Sequence, residues 1–159
     1  MAILVDYSGI AMGALFSQGG KLEEGLLRHM ILNSLRMYKT KFSKYGDMVI
    51  ACDGGSWRRD YFPEYKSARR DAKDENKSST DWEEFFRIIN LVKDELIEHF
   101  HYKVVQVKGA EGDDIIAILA LETQEFGKGE DVMIVSSDHD FIQLQTYSNI
   151  KQFSPLKKK

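Results

Sequence analysis

Short apolar runs alternate with longer amphipathic ones along this chain, and acids follow each of the first four apolar runs. Ala2–Tyr7 ("AILVDY") carries Asp6 at its end, and Asp47–Cys52 ("DMVIAC") runs directly into Asp53. Tyr102–Val107 ("YKVVQV") leads into Gly109-Ala110-Glu111-Gly112-Asp113-Asp114, and Asp131–Ser136 ("DVMIVS") leads into Asp138 and Asp140. Asn149–Phe153 reads as a last strand. Wholly apolar strands fit a parallel sheet covered on both faces. Strands that alternate with helices indicate an α/β fold, a three-layer sandwich with a mostly parallel central sheet. In such sheets ligands gather outside the carboxyl ends of the strands. That rule predicts that Asp6, Asp53, Glu111, Asp113, Asp114, Asp138 and Asp140 crowd one edge.

The connecting segments are read as follows. Ser8–Ser17 is small and apolar, a loop with some helix, broken by Gly19-Gly20. Lys21–Tyr45 is an amphipathic helix whose inward face carries Leu27, Ile31, Leu35, Tyr38 and Phe42, with a Glu24–Arg28 pair across one turn and Gly46 as its stop. Thr80-Asp81-Trp82-Glu83 fits a capping box, opening a helix through Phe100 with Phe85, Ile88, Ile89, Val92, Leu96 and Phe100 inward. Ile115–Phe126 is a further helix, closed by Gly127, and Phe141–Leu144 starts a short one. Trp57–Lys77 is rich in charge and aromatics and has no clear period.

A chain of 159 residues fits one domain with one core. A single cysteine, Cys52, excludes an internal disulfide and fits a reducing compartment. No apolar run approaches the roughly 20 residues of a membrane span. The net charge of −3 means that binding to a polyanion must come from local patches.

Taken singly, each acid could cap a turn or face water at a helix start. Together, seven carboxylates from four strand ends would repel one another unless cations intervened. The donors are all oxygen, which suits Mg²⁺, with Mn²⁺ as substitute. The four histidines, His29, His99, His101 and His139, and the lone Cys52 show no zinc-site spacing. Two Mg²⁺ ions about 3.5–4 Å apart can clamp both the attacking and leaving oxygens of a phosphodiester. No Gly-rich loop followed by Lys-Ser/Thr is present, which excludes a P-loop ATPase, and no Ser-His-Asp or Cys-His spacing is visible. The stretch Trp57-Arg58-Arg59-Asp60-Tyr61-Phe62-Pro63-Glu64-Tyr65-Lys66-Ser67-Ala68-Arg69-Arg70 interleaves cations with aromatics. Such a stretch can neutralise phosphates and stack on unpaired bases, although Asp60, Glu64 and Asp71 dilute its charge.

Asp6, Asp53, "EGDD" at Glu111–Asp114, "SSDHDF" at Ser136–Phe141 and the "WRRDYFPEYKSARR" segment together resemble the flap endonuclease/5′-nuclease family, its phage replication members above all. The resemblance covers nearly the whole chain. It implies a PIN-like domain over 1–159, with 54–80 as an arch or clamp insertion that is mobile without nucleic acid. It implies a metal-dependent 5′→3′ exonuclease and flap endonuclease that removes RNA primers. By position, Asp6, Asp53, Asp113 and Asp138 match ligands of a first metal ion, with Glu111 and Asp114 around it and Asp140 toward a second. Asp113 and Asp138 thereby count among the catalytic residues, with Lys66 and Arg69 as arch cations acting on the scissile phosphate and Tyr65 beside them. Arg58, Arg59 and Arg70 match contacts to the nucleic-acid backbone.

The implied substrates are DNA and RNA–DNA hybrids with 5′ ends or flaps. The implied partners are a single-strand-binding protein and a sliding clamp, in the cytoplasm of a phage-infected bacterium. Family members are longer and carry a further Asp pair and a helix–hairpin–helix. The resemblance therefore implies a partial chain or one half of a split nuclease, completed by a C-terminal segment or partner chain and weak in cleavage alone. His139 stands where a small or basic residue is usual. Rival readings are a single-domain PIN-type ribonuclease, a receiver-like signalling module and a non-catalytic nucleic-acid-binding protein. The long Trp57–Lys77 stretch argues against the first, and seven acids are too many for the second.

Overall fold

The computed structural model describes residues 1–56, 58, 81–125 and 129–158. Its sheet has five strands, β1 (Ala2–Asp6), β2 (Asp47–Cys52), β3 (Lys103–Gln106), β4 (Val132–Val135) and β5 (Ile150–Phe153). They lie in the order β3-β2-β1-β4-β5, and every pairing is parallel. The chain builds outward from β1 to β3, then returns to the other side of β1 for β4 and β5. The reversal opens a crevice at the carboxyl ends of β1 and β4, where α/β sheets bind ligands.

Side chains alternate across the sheet and divide the core in two. Ile3, Val5, Met48, Ile50, Cys52, Met133 and Val135 face three helices, α1 (Tyr7–Ser17), α2 (Glu24–Lys41) and α3 (Trp82–His99). Leu4, Ala51, Val132 and Ile134 face α4 (Gly112–Glu125) and a 3-10 segment, Asp140–Thr146. This is the expected three-layer sandwich. Each fully buried Leu or Ile contributes about 1.5–3 kcal/mol relative to exposure, so both faces stabilise the sheet on which the acids stand. Leu27, Ile31, Leu35, Tyr38 and Phe42 are buried along the α2 face as their spacing predicts, with Phe42 just beyond the helix end. Among the described residues no helix is long and apolar enough to cross a membrane.

Four local expectations need correction. Ser8–Ser17 is helix, not loop: α1 begins at Tyr7, capped by the Asp6 carboxylate, and buries Tyr7, Ile10, Ala11, Ala14 and Leu15 at helical spacing. Its outer face is apolar too (Met12, Gly13, Phe16), so the sequence shows no contrast between faces. Asp81, not Thr80, caps α3, accepting from Glu84 N at 3.1 Å. Glu24 and Arg28 do not pair with each other: Arg28 engages Glu95, and Glu24 engages Arg87 at 2.7 Å. Both are ties from α2 to α3, because the helices pack side by side and bring longer-range partners within reach. Finally, α4 starts at Gly112, so Asp113 and Asp114 lie inside its first turn rather than before it. Phe126, Gly127 and Thr80 lie outside the described residues, as does nearly all of 54–80.

Candidate metal centre

The acids follow the strands as the topology requires. Asp6 closes β1 and caps α1: its Oδ1 accepts from Gly9 N at 3.0 Å, and its Oδ2 accepts from Ser136 Oγ at 3.0 Å. A Cβ at position 9 would sit 2.7 Å from Asp6 Oδ2, so a side chain there would displace this carboxylate. Burial pushes the Asp6 carboxyl above its ordinary range. The Gly9 and Ser136 hydrogen bonds oppose that shift, and the neighbouring Asp53 and Asp113 charges add to it.

Ser136 is 2% exposed and links the end of β4 to the carboxylate at the end of β1. Its Oγ also accepts from Asp138 N at 3.1 Å, and Asp138 Oδ1 accepts from Asp140 N at 2.9 Å. Asp6, Ser136 and Asp138 share the wall of a groove of about 500 Å³, completed by the α1 face and Leu156. Asp140 points elsewhere, into a cavity of about 330 Å³ that it shares with Arg58, Asp113 and Asp114.

Asp53 spans the other side of β1. Its Oδ2 accepts from Ser8 Oγ at 2.7 Å and its Oδ1 from Gly112 N at 2.6 Å. The second contact places a carboxylate on the N-terminus of α4, where the helix dipole favours negative charge. The loops after β2 and β3 are tied by backbone hydrogen bonds, Gly54 N to Ala110 O at 2.8 Å and Gly109 N to Gly54 O at 2.9 Å. They approach so closely that a Cβ on Gly54 would lie 1.9 Å from Val107 O. This neck holds Asp53 beside the acid stretch.

Glu111, Asp113 and Asp114 each bring a carboxylate oxygen within 4.8 Å of the other two, and all three residues are partly buried. Local hydrogen bonds order them, Asp114 Oδ2 accepting from Glu111 N at 3.2 Å and Asp113 Oδ1 from Asp114 N at 2.8 Å. Arg58 closes on this group. Its Nη1 donates to Glu111 Oε2 at 3.0 Å and Asp114 Oδ2 at 2.9 Å, and its Nη2 to Asp114 Oδ1 at 2.7 Å. Ser56 Oγ donates to the same Glu111 oxygen at 3.2 Å. Three oxygens within this span, with no nitrogen or sulfur donor among them, fit a small hard cation such as Mg²⁺ or Mn²⁺.

Sequence reasoning placed the carboxylates but missed the groups that hold them. Ser8, Ser136 and the Gly112 amide carry no mark of their role beyond lying next to acids. Arg58 stands among the backbone-contact candidates, yet its guanidinium is engaged by Glu111 and Asp114. Arg59, Tyr65, Lys66, Arg69 and Arg70 lie outside the described residues. His139 meets Lys157 Nζ at 3.1 Å through Nε2, at the rim beside Asp138.

Comparison with known proteins adds the following. The family model of the 5′-3′ exonuclease N-terminal, resolvase-like domain matches residues 1–159. Ribonuclease H of Enterobacteria phage T4 is 38% identical over 165 aligned positions, covering 98% of this chain and 52% of that protein. A 5′-3′ exonuclease of Buchnera aphidicola subsp. Schizaphis graminum is 37% identical over 91 positions, covering 57% of this chain and 28% of that one. The chain thus spans about half the length of the phage relative. Among solved structures, the bacteriophage T5 flap endonuclease in a pseudo-enzyme-product complex with DNA and metal ions superposes with a TM-score of 0.75 at 19% identity, covering 99% of this chain and 56% of that one. The T5 5′-exonuclease with divalent zinc ions gives a TM-score of 0.72 at 17% identity, covering 100% and 56%. At such identities the likeness establishes a shared fold.

Proposed function

This chain belongs to the 5′-3′ exonuclease family through its N-terminal, resolvase-like domain, and on that premise we propose that it supplies the metal-binding half of a 5′→3′ exonuclease and flap endonuclease. The reading rests above all on one observation: the carboxylates of Glu111, Asp113 and Asp114 converge beside Asp53 and Asp6 at the carboxyl edge of a parallel sheet. Asp6, Asp53, Asp113 and Asp138 would hold a first divalent ion, Mg²⁺ with Mn²⁺ as substitute. Glu111 and Asp114 would lie around it, and Asp140 would face a second. Bound there, such ions would activate a water and offset the charge that develops on the phosphate.

The chain's own contribution is to fix the carboxylates before the ions arrive. Ser8 and the Gly112 amide orient Asp53, while Ser136 and the Gly9 amide orient Asp6. Arch residues over 54–80 would bring the phosphate in, with Lys66 and Arg69 acting on the scissile group, Tyr65 stacking, and Arg58, Arg59 and Arg70 along the backbone. The substrates would be DNA and RNA–DNA hybrids with 5′ ends or flaps. A C-terminal segment or partner chain would complete the second metal site. A phage single-strand-binding protein and sliding clamp would be further partners, in the cytoplasm of an infected host.

The test is cleavage of a labelled 5′-flap oligonucleotide with and without Mg²⁺. Cutting that needs Mg²⁺, and that Asp113→Asn reduces by at least about 100-fold, supports the reading. Binding without cutting, even after addition of the C-terminal half of a relative, supports a non-catalytic nucleic-acid-binding protein instead.

A further inference from the structure

Asp6, Asp53 and Asp138 stand differently toward the hydrogen-bond ladder of the sheet. Asp6 closes the central strand and is still in register, opposite Ala51. Asp53 lies one residue past the last rung between β2 and β3, where Cys52 faces Gln106. Ser136 lies one residue past the last rung between β4 and β5, where Val135 faces Phe153, and Asp138 follows it two residues later. A carbonyl beyond the end of an edge strand finds no further strand N–H to accept from. Here a glutamine of the edge strand supplies the donor. Gln106 Nε2 donates to Asp53 O at 2.7 Å. Gln152 Nε2 donates to Ser136 O at 2.9 Å and to Asp138 O at 2.7 Å. The other end of each amide is occupied as well. Gln106 Oε1 accepts from Lys93 Nζ at 3.0 Å, and Gln152 Oε1 accepts from Gln145 Nε2 at 3.1 Å. An ammonium can only donate and a carbonyl can only accept, so the direction of the Gln106 amide is set at both ends.

We propose that Gln106 and Gln152 are positioning residues of the metal centre: each extends the ladder by one rung at an edge of the sheet and so holds the main chain of an outer ligand, Asp53 on one side and Asp138 on the other. The proposal rests on the metal reading above. The Asp53–Gly54 peptide is pinned at both polar atoms, its oxygen by Gln106 and its N–H by Ala110 O at 2.8 Å. That fixes the peptide plane on the residue whose carboxylate Ser8 and Gly112 orient. Across the sheet, Gln152 ties the two carbonyls that bracket Ser137, in the loop whose Asp138 carboxylate accepts from Asp140 N at 2.9 Å. Gln152 is partly buried and Gln106 is exposed. Water replaces a lost donor more readily at Gln106, so the β5 side carries the larger effect.

Replacing glutamine by methionine keeps length and charge and removes the donor. Mn²⁺ binding is measured by calorimetry on the whole chain for the native protein, Gln106→Met, Gln152→Met and Gln124→Met, with unfolding midpoints recorded alongside. Gln124 is the control, because its amide donates to Asn149 Oδ1 at 2.9 Å, near the amino end of β5 and away from the acids. Gln152→Met should bind Mn²⁺ about tenfold more weakly, Gln106→Met should lose less, and Gln124→Met should bind as the native chain does. Without ions, hydrogen exchange of the Gly54 amide should quicken in Gln106→Met and that of the Asp140 amide in Gln152→Met. Mn²⁺ affinity in both variants equal to that of Gln124→Met overturns the proposal and leaves the metal reading standing. No Mn²⁺ binding to the native chain overturns both. Should Gln152→Met not fold, Gln106→Met, changed at an exposed side chain, decides by the same two measurements.

Discussion

The two sides of β1 solve one problem by different means. Toward β4, the carboxylates are held by neutral donors, Asp6 by the Ser136 hydroxyl and the Gly9 amide and Asp138 by the Asp140 amide. Toward β3, Glu111 and Asp114 are held by a full positive charge on Arg58. Hydroxyls and amides fix direction but leave the charge in place, and burial accordingly holds the Asp6 carboxyl above its usual range. A guanidinium fixes direction and offsets charge as well. One side is therefore ordered by neutral hydrogen bonds around a buried carboxyl, and the other by an ion pair. Asp53 stands between them, oriented by a hydroxyl on one oxygen and by a helix-terminal amide on the other.

Breaking the β3 side mechanically should have the largest effect. Gly54→Ala places a methyl 1.9 Å from Val107 O, a backbone atom that cannot swing aside. The neck must open, at a cost of about 3 kcal/mol or more. Denaturant unfolding should show it, and Asp53 should lose its contact with Gly112 while the β4 side stays intact. An unchanged midpoint would mean that the two loops are not clamped.

A smaller loss is expected on the β4 side from Ser136→Ala. It strips Asp6 Oδ2 of a donor and Asp138 N of an acceptor, at a cost of about 1–3 kcal/mol. The loss should be greater at pH 7 than at pH 4, because the hydroxyl favours the ionised form of Asp6. Equal losses at both would place Asp6 outside the linkage.

The smallest expected effect is a gain. The folded Asp6 pKa lies above its ordinary value of about 3.9, so its stability contribution is complete below that value and is lost as pH rises through the raised one. Asp6→Asn removes the titration. The variant should match the native chain near pH 3 and exceed it in stability at pH 8 without metal. Thermal melts across that range check the sign. A variant less stable than the native chain at pH 8 would show that the side toward β4 is not strained at all.

Much of this arrangement is legible from residue order because topology carries it. Four apolar runs with acids behind them, in a parallel sheet, must bring those acids to one edge, whatever the details of the helices. The acids diverge in a way that spacing does not reveal: Asp138 and Asp140 are two residues apart, yet one joins Asp6 and the other joins Asp114. The turn into the 3-10 segment separates them. The Arg58–Asp114 pair spans more than fifty positions, and Arg28 finds Glu95 across two helices rather than Glu24 one turn away. Side-chain partners of that kind depend on packing. Helix α1 was obscured for the opposite reason, since its apolar residues surround it and leave no periodic signal.

The Gly54 neck has one more consequence. The connection from β2 to α3 starts at a turn secured by Gly109 and Ala110 and ends at the Asp81 cap beside the buried Phe85. Doubling the length of such a connection adds only about 0.6 kcal/mol of closure entropy. A longer connection at this point would therefore cost the fold little, while Asp53 keeps its place beside Gly112.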